Sequence, residues 1–273
     1  MRIANVQGRA VTFVDGAAVD IAEASEGRFG PAPQQVWEQW EAVAEWGRSI
    51  DAQGGGPLPA EVGAPVPRPR QAFGIGLNYA DHAAEAGRET PELPMVFSKF
   101  PSCIVGQDTT VRVVECTDWE IELVVVIGRR ASEVPPGEGW SYVAGLTIGQ
   151  DLSDRDLQIA GRQLSMGKSR PGFGPTGPWV VSVDELPDPD DLALSCEVGG
   201  EVLQSGRTRN MVHGVGTLVE FLAGSVDLLP GDLIFTGTPE GVGHTRKPVR
   251  YLAAGTTLIS NIEGIGTLRT RLG

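Results

Sequence analysis

The stretch TDWEIELVVVIG, residues 117–128, sets two carboxylates two positions apart and follows them with an unbroken apolar run. Side chains at i and i+2 on a strand point to one face, so Glu120 and Glu122 project together. The run Leu123 to Ile127 carries that face toward the interior. Two like charges on a partly buried face are costly unless a cation or a proton neutralises them. The next β-like run, VAGLTIGQD, ends in Asp151 and places a third carboxylate at a strand terminus. Three carboxylates, with water completing the shell, suit a hard divalent ion such as Mg²⁺, Mn²⁺ or Ca²⁺. A solvated E-x-E face on an edge strand is the plain alternative and needs no metal.

The rest of the chain favours strands. Residues 1–30 read as three short strands, RIANVQG, AVTFVDG and AAVDIAE, with glycine turns between them. One amphipathic helix follows over PQQVWEQWEAVAEWGRSI, with Val36, Trp40, Val43 and Trp46 at helical spacing. Residues 52–70 are rich in Gly and Pro and mark a boundary. Beyond it lie β-like runs such as TTVRVV, WVVSV, LALSCEV and DLIFTG, and one clear helix, NMVHGVGTLVEFLAG, with Asn210 as its cap. Without regular βαβ alternation, the expected class is mainly β, α+β.

Composition excludes several functions. A net charge of −13 argues against nucleic acid, whose phosphates need Lys and Arg. No apolar run reaches the ~18 residues of a membrane span. The amino terminus lacks the apolar core of a signal peptide, so the expected location is cytoplasmic. With three scattered cysteines and only three histidines, any metal would be held mostly by oxygen.

Gly167-Lys168-Ser169 spells the end of a phosphate-binding P-loop. That motif needs a glycine at 162, which is Arg162, and a buried strand before it, where the polar DRDLQIAGRQLS stands. The lysine therefore has other work. Arg155 and Gln158 fall within two helical turns of Asp151, if a helix starts after Ser153. A cationic pair beside a carboxylate-held metal suits an anionic keto acid, although Arg155 taken singly reads first as an ordinary surface ion-pair residue. In GLNYADHAAEAG, His82 and Glu85 share a helical face. A carboxylate beside histidine fixes its tautomer and raises its basicity, as water activation requires; an exposed His–Glu pair is the alternative. The Gly-Thr-Pro loop after DLIF offers backbone N–H groups and the hydroxyls of Thr236 and Thr238 to a ligand, or serves as a turn.

Together and in this order, GLNYADHAAE, PMVFSKFPSCIVG, DWEIELVVVIG, AGLTIGQDLSDRDLQ, GKSRPGFGPTGPWVV and LIFTGTPEGVG resemble the fumarylacetoacetate hydrolase family, in its bacterial acylpyruvase-like branch. The resemblance covers residues 71 to 245. It implies rolled mixed β-sheets, a catalytic domain at 67–273, a small amino-terminal domain with its linker at 1–66, and a homodimer. It also implies a divalent metal on Glu120, Glu122 and Asp151, with Lys168 as the active-site lysine. Arg155, Gln158 and Thr238 fall on substrate-contacting positions, and His82 and Glu85 on a lid-borne dyad. Two departures stand out. Arg170-Pro171-Gly172 replaces the usual continuation of the lysine motif, which is expected to alter the pocket wall. GIGLNY also lacks the extra carboxylate that the animal enzymes place there. Lys99, within FSKFPS, receives no role.

The function this implies is hydrolysis of a C–C bond in a 1,3-dicarbonyl acid of acylpyruvate or fumarylpyruvate type. The metal would bind the 2-oxo acid end and stabilise the departing enolate. His82 would activate water, Lys168 would stabilise an oxyanion, and Arg155 would hold a substrate oxygen. Decarboxylation or keto–enol tautomerisation of oxaloacetate or a related β-keto acid uses the same parts without water attack. An isomerase or hydratase on this fold, and a catalytically silent binding scaffold, are the remaining alternatives.

Overall fold

All seven residues of the strand Ile121–Ile127 are buried. Ile121, Leu123, Val125 and Ile127 pack into one apolar core, while Val124 and Val126 pack into another on the opposite face. Such a strand must lie inside a sheet covered on both sides. The computed structural model, which describes residues 1–50, 55–161 and 163–273, places it there.

The strand pairs antiparallel with Val143–Gln150 on one side and Leu233–Phe235 on the other. The large sheet extends past Leu233–Phe235 through Ala72–Gly76 to Met95–Ser98. On the other side it runs through Gly174–Ser182 to the three amino-terminal strands, Arg2–Val6, Arg9–Val14 and Ala17–Asp20. The Leu233–Phe235 and Ala72–Gly76 strands are parallel, so the sheet is mixed. A second, five-stranded sheet is built from Glu201–Arg207, Ala193–Val198, Thr257–Ile262, Gly266–Leu272 and Thr110–Val111. One core fills the space between the sheets, closed by the helix Val215–Ala223. The fold is α+β and mostly sheet, as its sequence patterning predicts. No helix among the described residues is long and apolar enough to cross a membrane.

Composition puts a boundary at residue 66, but hydrogen bonding crosses it. Arg2–Val6 pairs antiparallel with Gly174–Ser182, so the first strands continue the large sheet. Of the Gly/Pro-rich stretch, residues 51–54 lie outside the described residues. Its later part is not a solvated linker: Val62, Ala64 and Val66 are buried, and Gly63 bridges to Asn5.

Three local expectations are corrected. The single helix over 33–50 is two, Pro33–Glu38 and Trp40–Gly47, because Gln39 leaves the helical region at φ −123°, ψ 26°. Trp37 and Trp40, one on either side of the break, are both buried, with ring centroids 5.4 Å apart. Asn210 does not cap the long helix, which begins at Val215 after Gly214. Asn210 instead ends a short 3-10 helix, Thr208–Asn210, and the residues that follow are held at Asn78, where the Val212 and His213 N–H groups donate to its carbonyl (2.8 Å) and Oδ1 (2.9 Å). The TTVRVV run contributes only Thr110–Val111 as strand.

The Trp37 indole N–H donates to the Pro65 carbonyl at 2.8 Å, tying the helical pair to the start of the catalytic half. Trp37→Phe leaves that carbonyl unpaired and is expected to cost about 1–3 kcal/mol in urea unfolding. Trp37→Ala adds a cavity and is expected to cost about 3–5 kcal/mol.

Candidate active site

Alternation along one strand start brings the acids together. Asp118, Glu120 and Glu122 occupy every second position, all buried, where the central strand begins. The neighbouring strand, paired Gly149 to Glu122 and Gln150 to Ile121, delivers Asp151 beside them. The Asp151 N–H donates to the Glu120 carbonyl at 2.9 Å. One oxygen from each of Glu120, Glu122 and Asp151 lies within 4.8 Å of the others, so the three expected metal ligands converge.

Three long basic side chains meet these acids. The Arg155 guanidinium reaches Asp118 Oδ2 and Glu120 Oε1, each at 2.7 Å. Lys168 Nζ bridges Glu120 Oε2 at 2.5 Å and Asp151 Oδ2 at 2.7 Å. Lys99 Nζ takes the other Asp151 oxygen at 2.6 Å and donates to the Lys168 and Phe173 carbonyls. The order Asp118–Arg155–Glu120–Lys168–Asp151–Lys99 alternates in sign and is neutral as a unit. Glu122 stands outside it, its hydrogen-bond donor being the Gly237 N–H at 2.9 Å.

The acids respond to these surroundings differently. Burial alone would raise the Glu120 carboxyl, but Lys168 and Arg155 outweigh it and hold it far below the ordinary range. Burial, reinforced by the negative charges of Asp151 and Glu120, pushes Glu122 well above it. Burial would lower Lys168, yet Asp151 and Glu120 raise it, so it remains an ammonium. The donor set therefore fits a divalent cation: all oxygen, buried, and one negative charge in excess at Glu122.

The helix Ala80–Glu85 carries His82 and Glu85 to the same cavity, with Nδ1 and Oε2 3.4 Å apart. Both Glu85 oxygens accept from the Gly241 N–H at 3.1 Å, which fixes the helix against the glycine loop. Burial would raise the Glu85 carboxyl; hydrogen bonds from His82, Thr245 and Gly241 prevail and lower it. The cavity, about 700 Å³, is lined by Glu120, Glu122, Lys168 and the His–Glu pair together with the apolar Ile75, Met95, Phe97 and Ile159.

Other expectations need adjustment. Arg155 and Gln158 lie on the Arg155–Ala160 helix, with Asp154 as its cap, and line the cavity. Arg155 is committed to Asp118 and Glu120, however, and Gln158 Oε1 accepts from its Nη1 at 2.8 Å. Thr238 lines the cavity, but its hydroxyl donates to the Ile121 carbonyl at 2.8 Å, and Thr236 likewise donates to Leu123. These threonines tie the loop to the strand, and the Gly237 N–H goes to Glu122. Arg170-Pro171-Gly172 is absent from the cavity wall among the described residues, because Arg170 turns to the helix-capping Asp154 at 2.5 Å. Gly167 is required by close approach, since a Cβ there would sit 2.8 Å from the Gln158 nitrogen. Arg162 itself lies outside the described residues.

Sequence reasoning missed Asp118, Lys99, Gln150 and Gln204. Asp118 receives the Gly243 and His244 N–H groups as well as Arg155, joining the glycine loop to the guanidinium. The Gln150 and Gln204 side chains accept from the Glu120 and Ile121 N–H groups, at 3.1 and 3.0 Å, and so hold the strand start in place. The period-two spacing D-x-E-x-E was the signal for Asp118. Lys99 could be suspected from its rarity, as one of only three lysines.

Residues 71–273 match the family model described as fumarylacetoacetate (FAA) hydrolase C-terminal. The chain belongs to the fumarylacetoacetate hydrolase family. A Burkholderia multivorans protein provisionally named a hydrolase is 47% identical over 210 residues, covering 75% of this chain and 74% of that protein. A Mycobacterium smegmatis structure provisionally named HpcE superposes with a TM-score of 0.95 at 47% identity, covering 100% of this chain and 99% of that one. Fumarylacetoacetate hydrolase of Exiguobacterium antarcticum shares 32% identity with a TM-score of 0.83, over 99% of this chain and 97% of its own. A 5-carboxymethyl-2-hydroxymuconate delta-isomerase of M. smegmatis shares 33% with a TM-score of 0.77, over 100% and 98%. Family relatives of this chain thus carry both hydrolase and isomerase names.

Removing one member of a buried ion pair strands the other charge. Asp118→Ala is therefore expected to lower stability by about 3–5 kcal/mol in denaturant titration. It should also speed proteolytic cleavage within 241–246, a segment that Asp118 anchors.

Proposed function

We propose that the protein is a divalent-metal-dependent hydrolase that cleaves a C–C bond in a 1,3-dicarbonyl acid of acylpyruvate type. The observation that carries this reading is the buried carboxylate set, with Glu122 unpaired among the described residues, and Glu120 and Glu122 facing one cavity with a His–Glu pair. Glu120, Glu122 and Asp151 would hold the ion, Mg²⁺ or Mn²⁺ by donor type, which when bound supplies Lewis acidity to the 2-oxo acid end.

The chain's own groups do the rest. Glu85 orients His82, which takes a proton from water as that water attacks the distal carbonyl. Lys168 has three ammonium donors, two of them directed at Glu120 and Asp151. The third stabilises the oxyanion that develops on the attacked carbon. Collapse of that centre breaks the C–C bond, and the electron pair leaves with the oxo-acid fragment as its enolate. Arg155 and Lys99 act as positioning residues, holding Glu120 and Asp151 in place.

Isomerisation, tautomerisation or decarboxylation of a related oxo acid is the second reading, supported by the isomerase among the relatives. These reactions need the same floor of the cavity but no attacking water.

Two experiments test the proposal. Chelation is expected to abolish activity and Mg²⁺ or Mn²⁺ to restore it, while Glu122→Gln lowers the bound metal measured by elemental analysis. Protein that binds no divalent ion and turns over fully without one overturns the metal assignment. With an acylpyruvate panel run beside oxaloacetate, His82→Ala is expected to lower kcat for hydrolysis by about 10²–10⁴. Undiminished hydrolysis by that variant would remove His82 as the base. Turnover of oxaloacetate alone would favour the second reading.

A further inference from the structure

Alternate glycines in the strand Ala72–Gly76 make room for one wall of the cavity. Gly74 lies opposite Phe97 and Gly76 opposite Met95 in the antiparallel pair with Met95–Ser98. A Cβ at Gly74 would sit 2.2 Å from the Phe97 ring, and one at Gly76 2.1 Å from the Met95 methyl. Both side chains therefore lie across backbone that only glycine leaves bare. Leu77, the next residue, holds a left-handed φ of +54°, which is strained for a leucine. Asn78 fixes it there. Its side-chain amide donates to the Thr236 and His213 carbonyls, and its own oxygens accept from the Val212 and His213 N–H groups. Strain of this kind persists where the surroundings over-determine it, and it gathers at ligand sites. Phe97, Met95 and Leu77 all line the cavity, and Ile159 does so from the Arg155–Ala160 helix.

This wall has a direction. The Phe97 ring centroid is 5.3–5.4 Å class distance from the floor ammonium, at 5.4 Å from Lys168 Nζ, and Phe97 is 8% exposed. Met95 stands two residues along the strand, about 7 Å away, and is 36% exposed, while Ile159 is 64% exposed. An acyl chain on the carbon that Lys168 serves would run along Phe97 and then cover Met95 and Ile159, apolar surface that gains by leaving water. Polar groups nearby are already engaged. The Thr245 hydroxyl donates to the Val242 carbonyl at 3.1 Å, and the His244 ring meets the Tyr251 hydroxyl at 3.3 Å. Charge points the same way. Among the described residues the six-member cluster is neutral, Glu85 and Arg88 offset each other, and Glu122 leaves one negative charge. A divalent ion and one carboxylate head bring the whole to neutrality, so a second carboxylate would be in excess.

We propose that Phe97, Met95 and Leu77, with Ile159, form an acyl-chain subsite that selects a 2-oxo acid bearing a single carboxylate and an unbranched apolar acyl chain. The inference rests on the oxo-acid reading of the cavity floor and concerns the other end of the ligand.

Titration calorimetry with Mg²⁺ present tests it. Oxalate reports the head site alone. 2-Oxohexanoate and 2-oxooctanoate differ by two methylenes, and 2-oxoadipate adds a terminal carboxylate to the six-carbon chain. The wild type is expected to bind 2-oxooctanoate about tenfold more tightly than 2-oxohexanoate, the size of two largely covered methylenes. It is expected to bind 2-oxoadipate more weakly than 2-oxohexanoate. Met95→Gln keeps the side-chain length and should cut the chain-length gain to about twofold. Leu77→Gly, which the left-handed backbone accepts without strain, should lower the gain as well. Comparing two ligands within one variant cancels any general loss of folded protein. A wild type with no chain-length gain, as when a second copy of the chain covers Met95 and Ile159, overturns the proposal. So does 2-oxoadipate binding as tightly as 2-oxohexanoate, or a Met95→Gln variant with an undiminished gain. Oxalate separates the failures. If oxalate binds and the gain is missing, only the acyl subsite falls. If oxalate does not bind, the oxo-acid reading falls, and this inference with it.

Discussion

Six charged side chains at the buried start of the central strand alternate in sign, from Asp118 through Arg155, Glu120, Lys168 and Asp151 to Lys99. Taking ions out of water is expensive, and oppositely charged partners at 2.5–2.7 Å are what offset it. The members come from five separate segments, so neutrality requires all of them to be in place at once. Loss of one leaves a largely buried charge without its counterpart. The cluster is thus weak evidence for added stability and strong evidence for a single allowed arrangement of these segments.

Much of the surrounding structure holds that arrangement. Gln150 and Gln204 bond the backbone at Glu120 and Ile121, and Gln204 also bonds Thr238, linking the second sheet to the glycine loop. The loop returns the contact through the Gly237 N–H to Glu122 and the Gly243 N–H to Asp118. Gly167 allows the backbone bearing Lys168 to pass close to the Arg155 helix, and the Asp154 N–H donates to the Gly167 carbonyl at 2.8 Å. The Gly-Lys-Ser spelling that looks like a phosphate loop is accounted for here residue by residue. Glycine gives close approach, lysine bridges two acids, and the Ser169 hydroxyl oxygen accepts from the Phe100 N–H at 2.9 Å.

Relatives with hydrolase and isomerase names share this fold, and the cavity suggests why one scaffold serves both. On the proposed reading its floor holds an oxo acid, a requirement common to both reactions, and what distinguishes them is whether water is activated. The lining residues outside the carboxylate floor include His82 and Glu85 of the Ala80–Glu85 helix and Val242, His244 and Thr245 of the 241–245 loop.

The strand at 121–127, the shared face of Glu120 and Glu122, and the His82–Glu85 pair were legible in the sequence because each depends on local periodicity, whereas Asp151 was expected beside them from the family resemblance and arrives there through cross-strand register. Period two places alternate residues on one face, and a three-residue step does the same on a helix. Asp118 was legible by that rule and was overlooked. The commitments of Arg155, Thr236 and Thr238 were not legible, because hydrogen-bond partners 37 to 117 residues away decide them. Nor was the break at Gln39, which no capping or breaker residue announces. Sequence alone determined which residue types share a face and that any metal here would be held by oxygen. Only the tertiary structure decided which cation meets which acid and, among the described residues, left Glu122 without one, because pairing depends on distances across segments that local periodicity does not encode.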